Sequence, residues 1–149
     1  MNLSLSYLSD HTIRDRFMSK SLVQLILLAA VADGEIQDEE KLLLETYKAR
    51  YPRLRRVTQK DYDEAQIELF NKVKAGVRIP HLIEDLGNNF SDAEKEIAFA
   101  LTYEICASNF HLAPQEEEIL NTIKKVWKLK ASVVNAVKLS AQLRYDLLS

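Results

Sequence analysis

Apolar residues recur at helical spacing along most of the chain and divide it into seven predicted helices. The first is apolar on every side from Leu22 to Val31, so we expect it at the centre of the fold, with Ser21 as its N-cap. Each of the other six carries one apolar stripe. In chain order the stripes are Leu42, Leu43, Thr46 and Tyr47; Tyr62, Ala65, Leu69 and Val73; Leu82, Ile83 and Leu86; Ile97, Ala100, Leu101, Ile105 and Ser108; Ile119, Leu120, Ile123, Val126 and Trp127; and Val134, Val137, Ala141, Tyr145 and Leu148.

Local capping signals fix several of the helix ends. Thr58 can cap the third helix, which ends at Gly76 because glycine readily adopts the left-handed conformation after a helix. Ser91 and Glu94 form a capping-box pattern at the start of the fifth helix. Pro114 suits a first helical turn, where its missing N–H has no partner in any case.

The composition restricts the fold class. A chain of 149 residues with 47% apolar and 28% charged residues and a net charge of -2 is typical of one globular domain, here residues 1–149. Three glycines and three prolines are too few for the turns of an all-β fold, and one cysteine excludes a disulfide framework. We therefore predict an all-α domain, a compact bundle of about seven helices.

The first helix, loop and helix have a counterpart later in the chain. An offset of 76 positions aligns the apolar pattern and the loop length of the two units, although few residues are identical. The sequence therefore predicts two pseudo-repeated helix-loop-helix units that share one core. The aligned pairs are Leu25 with Leu101, Asp33 with Asn109, Ile36 with Leu112, Glu40 with Glu116, and Leu44 with Leu120.

The loop of the first unit is strongly acidic, with five carboxylates between positions 33 and 40. The spacing from Asp33 and Gly34 to Glu40 reproduces the second half of an EF-hand loop. The first half has no counterpart, because Ala29 and Val31 stand where oxygen ligands are needed. One alternative is purely structural: Gly34 ends one helix, and the following acids favour the positive end of the next helix dipole.

The motif Ala32-Asp33-Gly34-Glu35-Ile36, with Glu40 on the next helix, resembles the tellurite-resistance TerB-like family. The segment Asn109-Phe110-His111-Leu112, with Glu116, resembles a degenerate second copy. The resemblance covers roughly residues 22–127. It implies a helical, non-enzymatic domain of bacterial stress and tellurite-resistance systems that acts in binding or scaffolding. It also implies acidic residues that hold a divalent cation.

A cation site of this kind would use Asp33, Glu40 and Glu116. Glu104 joins this candidate set because it lies on the apolar stripe of its helix, seven positions after Ile97. A buried carboxylate there must be paired, lie at the rim, or act as a ligand. Oxygen ligands favour Ca²⁺, Mg²⁺ or Mn²⁺ over zinc. The second copy lacks both the Asp and the Gly of the first, which weakens its half of such a site.

No motif for catalysis or phosphate binding occurs, so we predict no enzyme and no catalytic residues. The expected partner is another protein rather than nucleic acid, with the basic segment 48–60 either an electrostatic docking surface or a solvated connector. The longest apolar run, eight residues from Leu25 to Ala32, is too short to span a membrane, and the first ten residues do not resemble a secretory signal. We therefore expect a cytoplasmic protein. The alternative function is a plain protein-docking or small-ligand-binding domain without metal.

Overall fold

The computed structural model describes residues 19–29, 45, 57–107 and 112–145. Its described part contains helices and no strand, which confirms the all-α class. Here α1 denotes the helical residues 19–29, and none of the described helices is both long and apolar enough to cross a membrane. The other five are α2 (Gln59–Lys74), α3 (Ile79–Gly87), α4 (Asp92–Ala107), α5 (Pro114–Val126) and α6 (Ala131–Arg144).

The predicted helix that starts near Asp38 lies outside the described residues, apart from Glu45, which is helical. Asp33, Glu40 and the loop 108–111 also lie outside them. The count of seven helices and the two pseudo-repeats therefore stay predictions, because one repeat is described only as far as residue 29.

Helix α1 is buried on all sides, as its continuous apolar pattern predicts, and only Lys20 is partly exposed. The prediction that Ser21 caps this helix is wrong, because Ser19 and Lys20 are already helical. The Ser21 hydroxyl oxygen instead accepts a hydrogen bond from Nδ2 of Asn89 at 2.8 Å. A tertiary contact thus uses the oxygen that the sequence pattern assigned to a helix end.

Polar side chains at the edge of the core join α1 to α2. Nζ of Lys20 donates to Oε1 of Glu68 at 2.8 Å, and Nε2 of Gln24 donates to the other carboxylate oxygen at 3.1 Å. The hydrogen bond from Lys20 holds the pKa of Glu68 below its usual value and raises the pKa of Lys20. Both charges are therefore retained across the neutral range.

The predicted capping signals of α2 and α4 are confirmed. The Thr58 hydroxyl accepts from the backbone N–H of Asp61 at 3.1 Å, while the Asp61 carboxylate accepts from the backbone N–H of Thr58 at 3.2 Å. Ser91 and Glu94 make the same reciprocal pair at the start of α4. After α2 the chain turns at Gly76, whose φ of +82° is the left-handed conformation that glycine tolerates best.

Helix α4 is the second central element, because every residue from Leu101 to Ala107 is buried. It packs against both α5 and α6, so more than one of its faces is covered. Cys106 is buried there. Two residues assigned to inward stripes, Val73 on α2 and Ile97 on α4, are instead exposed.

Helices α3 and α5 meet at the indole of Trp127, which is buried as predicted. Its Nε1 donates to the carbonyl oxygen of Ile83 at 2.9 Å, and the Phe90 ring lies edge-on to it with centroids 5.7 Å apart. Gly87 lies directly against the indole, at a point where a Cβ atom would come within 3.0 Å of Cδ1 and closer still to Nε1. The close approach of α3 to Trp127 therefore depends on glycine.

Candidate functional site

A groove of about 500 Å³ lies between α4 and α6 and is open to solvent along one side. Its volume falls within the range of about 300–1,000 Å³ that is usual for binding sites in proteins. Most of its wall is apolar, and several of the lining side chains are small, which is why space remains between the two helices. The lining residues are Ile97, Ala100, Leu101, Glu104, Ala136, Val137, Ser140, Ala141 and Arg144.

On each helix, the residues that line the groove are spaced about one turn apart. On α4 the spacing from Ile97 through Leu101 to Glu104 follows one face, and on α6 the spacing from Val137 through Ala141 to Arg144 does the same. Val137 and Ala141 belong to the stripe that the sequence analysis assigns to the inner face of the last helix. The groove is therefore the part of the α4–α6 contact that these side chains do not fill.

The charged residues of the groove, Glu104 and Arg144, form an ion pair. Nη1 of Arg144 donates to Oε1 of Glu104, and the Tyr145 hydroxyl donates to the same oxygen at 3.4 Å. Nε of Arg144 contacts the carbonyl oxygen of Ser140 at 3.4 Å. The Glu104 side chain is only 10% exposed, whereas that of Arg144 is 50% exposed.

This difference in exposure gives the two charges different roles. The carboxylate of Glu104 lies beneath the guanidinium and orients it, while Arg144 presents its remaining N–H donors to solvent. A guanidinium can bind carboxylates on more than one edge, because its five donors form a planar fork. At the groove surface the accessible charge is therefore positive.

Large apolar side chains are also exposed on the two helices that form the groove. Ile97 is exposed at the wall, and Leu139 and Leu143 are exposed on α6 one turn apart. These two leucines extend the apolar surface beyond the residues that line the groove. An apolar surface of this kind is typical of a site that another molecule covers.

Two of the four predicted cation ligands lie among the described residues, and they are on different helices. Glu104 lies in the groove on α4 and is paired with Arg144, one of the three situations that the sequence leaves open. Glu116 lies in the first turn of α5, is 2% exposed, and accepts a hydrogen bond from the backbone N–H of Ala113 at 3.1 Å. Asp33 and Glu40 lie outside the described residues.

Within the described residues no group of three or more His, Cys, Asp or Glu side chains is arranged to hold a metal ion. The ion pair with Arg144 already neutralises Glu104, and Glu116 acts on the N-terminus of its own helix. These two carboxylates therefore do not form a cation site by themselves. The role of Asp33, Glu40, Glu104 and Glu116 in binding Ca²⁺, Mg²⁺ or Mn²⁺ stays a prediction.

Sequence reasoning missed Arg144 and the apolar surface beside it. A signal was present, because Arg144 is spaced three residues from Ala141 on the last predicted helix and can share a face with it. What the pattern does not contain is the pairing of α4 with α6, which brings Arg144 to a carboxylate 40 residues away.

Comparison of the chain with models of known protein families, with curated proteins and with solved structures finds no match. The resemblance to TerB-like domains therefore stays an expectation from the motif around Asp33 and its degenerate copy around Asn109.

Proposed function

We propose that the protein is a non-enzymatic binding module of the TerB-like type, whose α4–α6 groove receives an amphipathic helix of a partner protein. The observation that carries this proposal is the open apolar groove with an accessible guanidinium among its lining residues. The resemblance to TerB-like domains supports a role in binding or scaffolding in a bacterial stress response.

A partner helix fits the groove better than a small enclosed ligand does. The groove is open along its side, and its apolar surface continues onto Leu139 and Leu143. A helix that lies in such a groove places apolar side chains at i, i+3, i+4 and i+7 against it. Ala100, Ala136 and Ala141 leave room for these side chains to enter.

The charge of the groove predicts an acidic residue on the partner. Arg144 is the half-exposed member of its ion pair and retains donors that Glu104 does not use. A carboxylate on the partner helix would therefore bind beside Arg144. A lysine there would approach the guanidinium and be repelled by it.

Selection from a displayed library of helical peptides, about four turns long, tests the proposal. We expect the peptides retained by the native protein to share an apolar stripe with Asp or Glu near one end. Replacing Ala136→Leu fills the groove and should weaken their binding at least tenfold, a loss of about 1.4 kcal/mol. Replacing Arg144→Gln should remove the preference for an acidic residue while the apolar stripe remains.

The matched control is Ala131→Leu, which adds the same side chain to an exposed position of α6 outside the groove. It should leave the affinity of the selected peptides unchanged. Circular dichroism verifies that each variant is folded. Peptides that bind the Ala136→Leu variant as tightly as the native protein would show that the groove is not the binding site.

The second candidate function is metal-dependent binding through Asp33, Glu40 and Glu116. The specific observation in its favour is the burial of Glu116, the residue that the predicted repeat pairs with Glu40. A cation bound only to the folded protein at a hundredfold excess over Kd would add roughly 2.7 kcal/mol, or several degrees of melting temperature. Millimolar Ca²⁺, Mg²⁺ or Mn²⁺ should therefore raise the melting temperature relative to chelator.

Asp33→Asn with Glu40→Gln should abolish this rise and increase the melting temperature without metal slightly, because repulsion between carboxylates is relieved. The control pair Glu84→Gln with Asp85→Asn removes two exposed acids from α3 and should preserve the response. Identical melting of the native protein in cation and in chelator would leave Asp33-Gly34 as a helix stop only.

A further inference from the structure

Helix α2 exposes two large apolar side chains in the middle of its solvent face. Ile67 is 60% exposed and Phe70 is 55% exposed, whereas Ala65 and Leu69 on the opposite side of the helix are buried in the core. The packing of α2 against the rest of the fold therefore does not explain why Ile67 and Phe70 are apolar. Val73, exposed one turn further on, widens the same apolar surface.

Opposite charges stand on either side of this apolar pair. Asp63, Ile67, Phe70 and Lys74 follow one another at intervals of four, three and four residues, the spacing that keeps side chains on one face of a helix. Asp63 and Lys74 are both exposed, and neither forms an ion pair with another described residue. Among the described residues, the carboxylate of Asp63 accepts a neutral hydrogen bond, from Nε2 of Gln59 at 2.9 Å.

This order of residues makes the face of one α2 helix complementary to the same face of a second α2 helix that runs in the opposite direction. In an antiparallel pair of α2 helices with a two-fold axis between Ile67 and Phe70, each Ile67 faces the Phe70 of the other copy. Each Asp63 then faces a Lys74. A parallel pair would instead place Asp63 against Asp63 and Lys74 against Lys74, which like-charge repulsion disfavours.

We propose that the exposed face of α2 binds a second copy of this chain in an antiparallel, two-fold symmetric dimer. Such an interface is isologous, since the same patch serves both copies. One face of a single helix about 24 Å long is smaller than the roughly 800 Å² per partner of a standard interface. The dimer is therefore weak and reversible, and it forms as the protein concentration rises.

Sedimentation equilibrium over a wide range of protein concentration tests this dimer. The native protein should shift from monomer to dimer, with a Kd that rises with salt because both ion pairs are exposed. Asp63→Lys and Lys74→Glu each convert two attractive pairs into two repulsive pairs. Each should raise Kd roughly tenfold at low salt.

The distinguishing step is to mix the two variants. A heterodimer of Asp63→Lys with Lys74→Glu contains one lysine–glutamate pair and one native pair, so mixing should restore dimers that neither variant forms alone. This restoration also shows that both variants are folded. Glu118→Lys and Lys125→Glu make the same charge changes at exposed positions of α5 and should leave Kd unaltered.

Three outcomes would overturn the proposal. The first is a native protein that stays monomeric at its highest soluble concentration, whatever other molecule its α2 face binds. The second is a dimer whose Kd neither single variant changes, because it uses another surface. The third is a mixture of the two variants that associates no better than each variant alone.

Discussion

Replacement of Gly87 by alanine is expected to destabilise the fold by about 3 kcal/mol, which lowers the melting temperature of a domain of this size by roughly 10 °C. Alanine is ordinarily the better helix former, so the sign of the effect depends on the surroundings of Gly87. An added Cβ would overlap the Trp127 indole. The indole cannot move aside without losing its hydrogen bond to the Ile83 carbonyl and its contact with Phe90.

Thermal unfolding followed by circular dichroism measures this effect. Glu84→Ala, at an exposed position of the same helix, is the control and should change stability by less than about 0.5 kcal/mol. Trp127→Phe removes the indole N–H, so Gly87→Ala should be less harmful in that background than in the native protein. Equal costs in the two backgrounds would contradict the close approach of α3 to Trp127.

The second large effect is expected from Arg144→Met, which leaves the mostly buried Glu104 carboxylate without its guanidinium. Removing one member of a fully buried pair costs about 3–5 kcal/mol, and the half-exposed state of Arg144 reduces the expected loss to about 2 kcal/mol. Methionine retains much of the apolar stem that packs along the groove. The loss of stability therefore measures mainly the effect of removing the positive charge.

Chemical denaturation of a double-mutant cycle isolates this pairing. Glu104→Gln removes the buried charge and preserves an acceptor for the Tyr145 hydroxyl. The combination of Glu104→Gln with Arg144→Met should therefore be more stable than the sum of the two single effects predicts, by about 1 kcal/mol or more. Additive effects would mean that the pair contributes nothing to the fold.

Features that depend on neighbouring residues were predictable from the sequence. The capping residues Thr58 and Ser91 lie three positions before their partners. Gly76 adopts a left-handed conformation that glycine tolerates without help from distant residues. The continuous apolar pattern of α1 similarly predicts burial on every side. None of these signals requires knowledge of which helices pack together.

Errors arose where burial depends on the arrangement of helices. Ser21 is of a residue type that often caps helices, yet its hydroxyl accepts a hydrogen bond from Asn89, which lies 68 positions later in the chain. Ile97 lies on the apolar stripe of α4 but borders an open groove, while several residues outside that stripe are buried because α5 and α6 cover other sides of the helix. The pairing of Glu104 with Arg144 has the same origin.

The central claim, that the α4–α6 groove binds an apolar helix, is tested most directly by NMR. Backbone amide shifts of the native protein would be followed during titration with a peptide selected as above. We expect the largest changes at Ala100, Leu101, Val137 and Ala141, with smaller changes at α2 and α5. Changes centred on another surface, or saturable binding that leaves these amides unmoved, would contradict the claim.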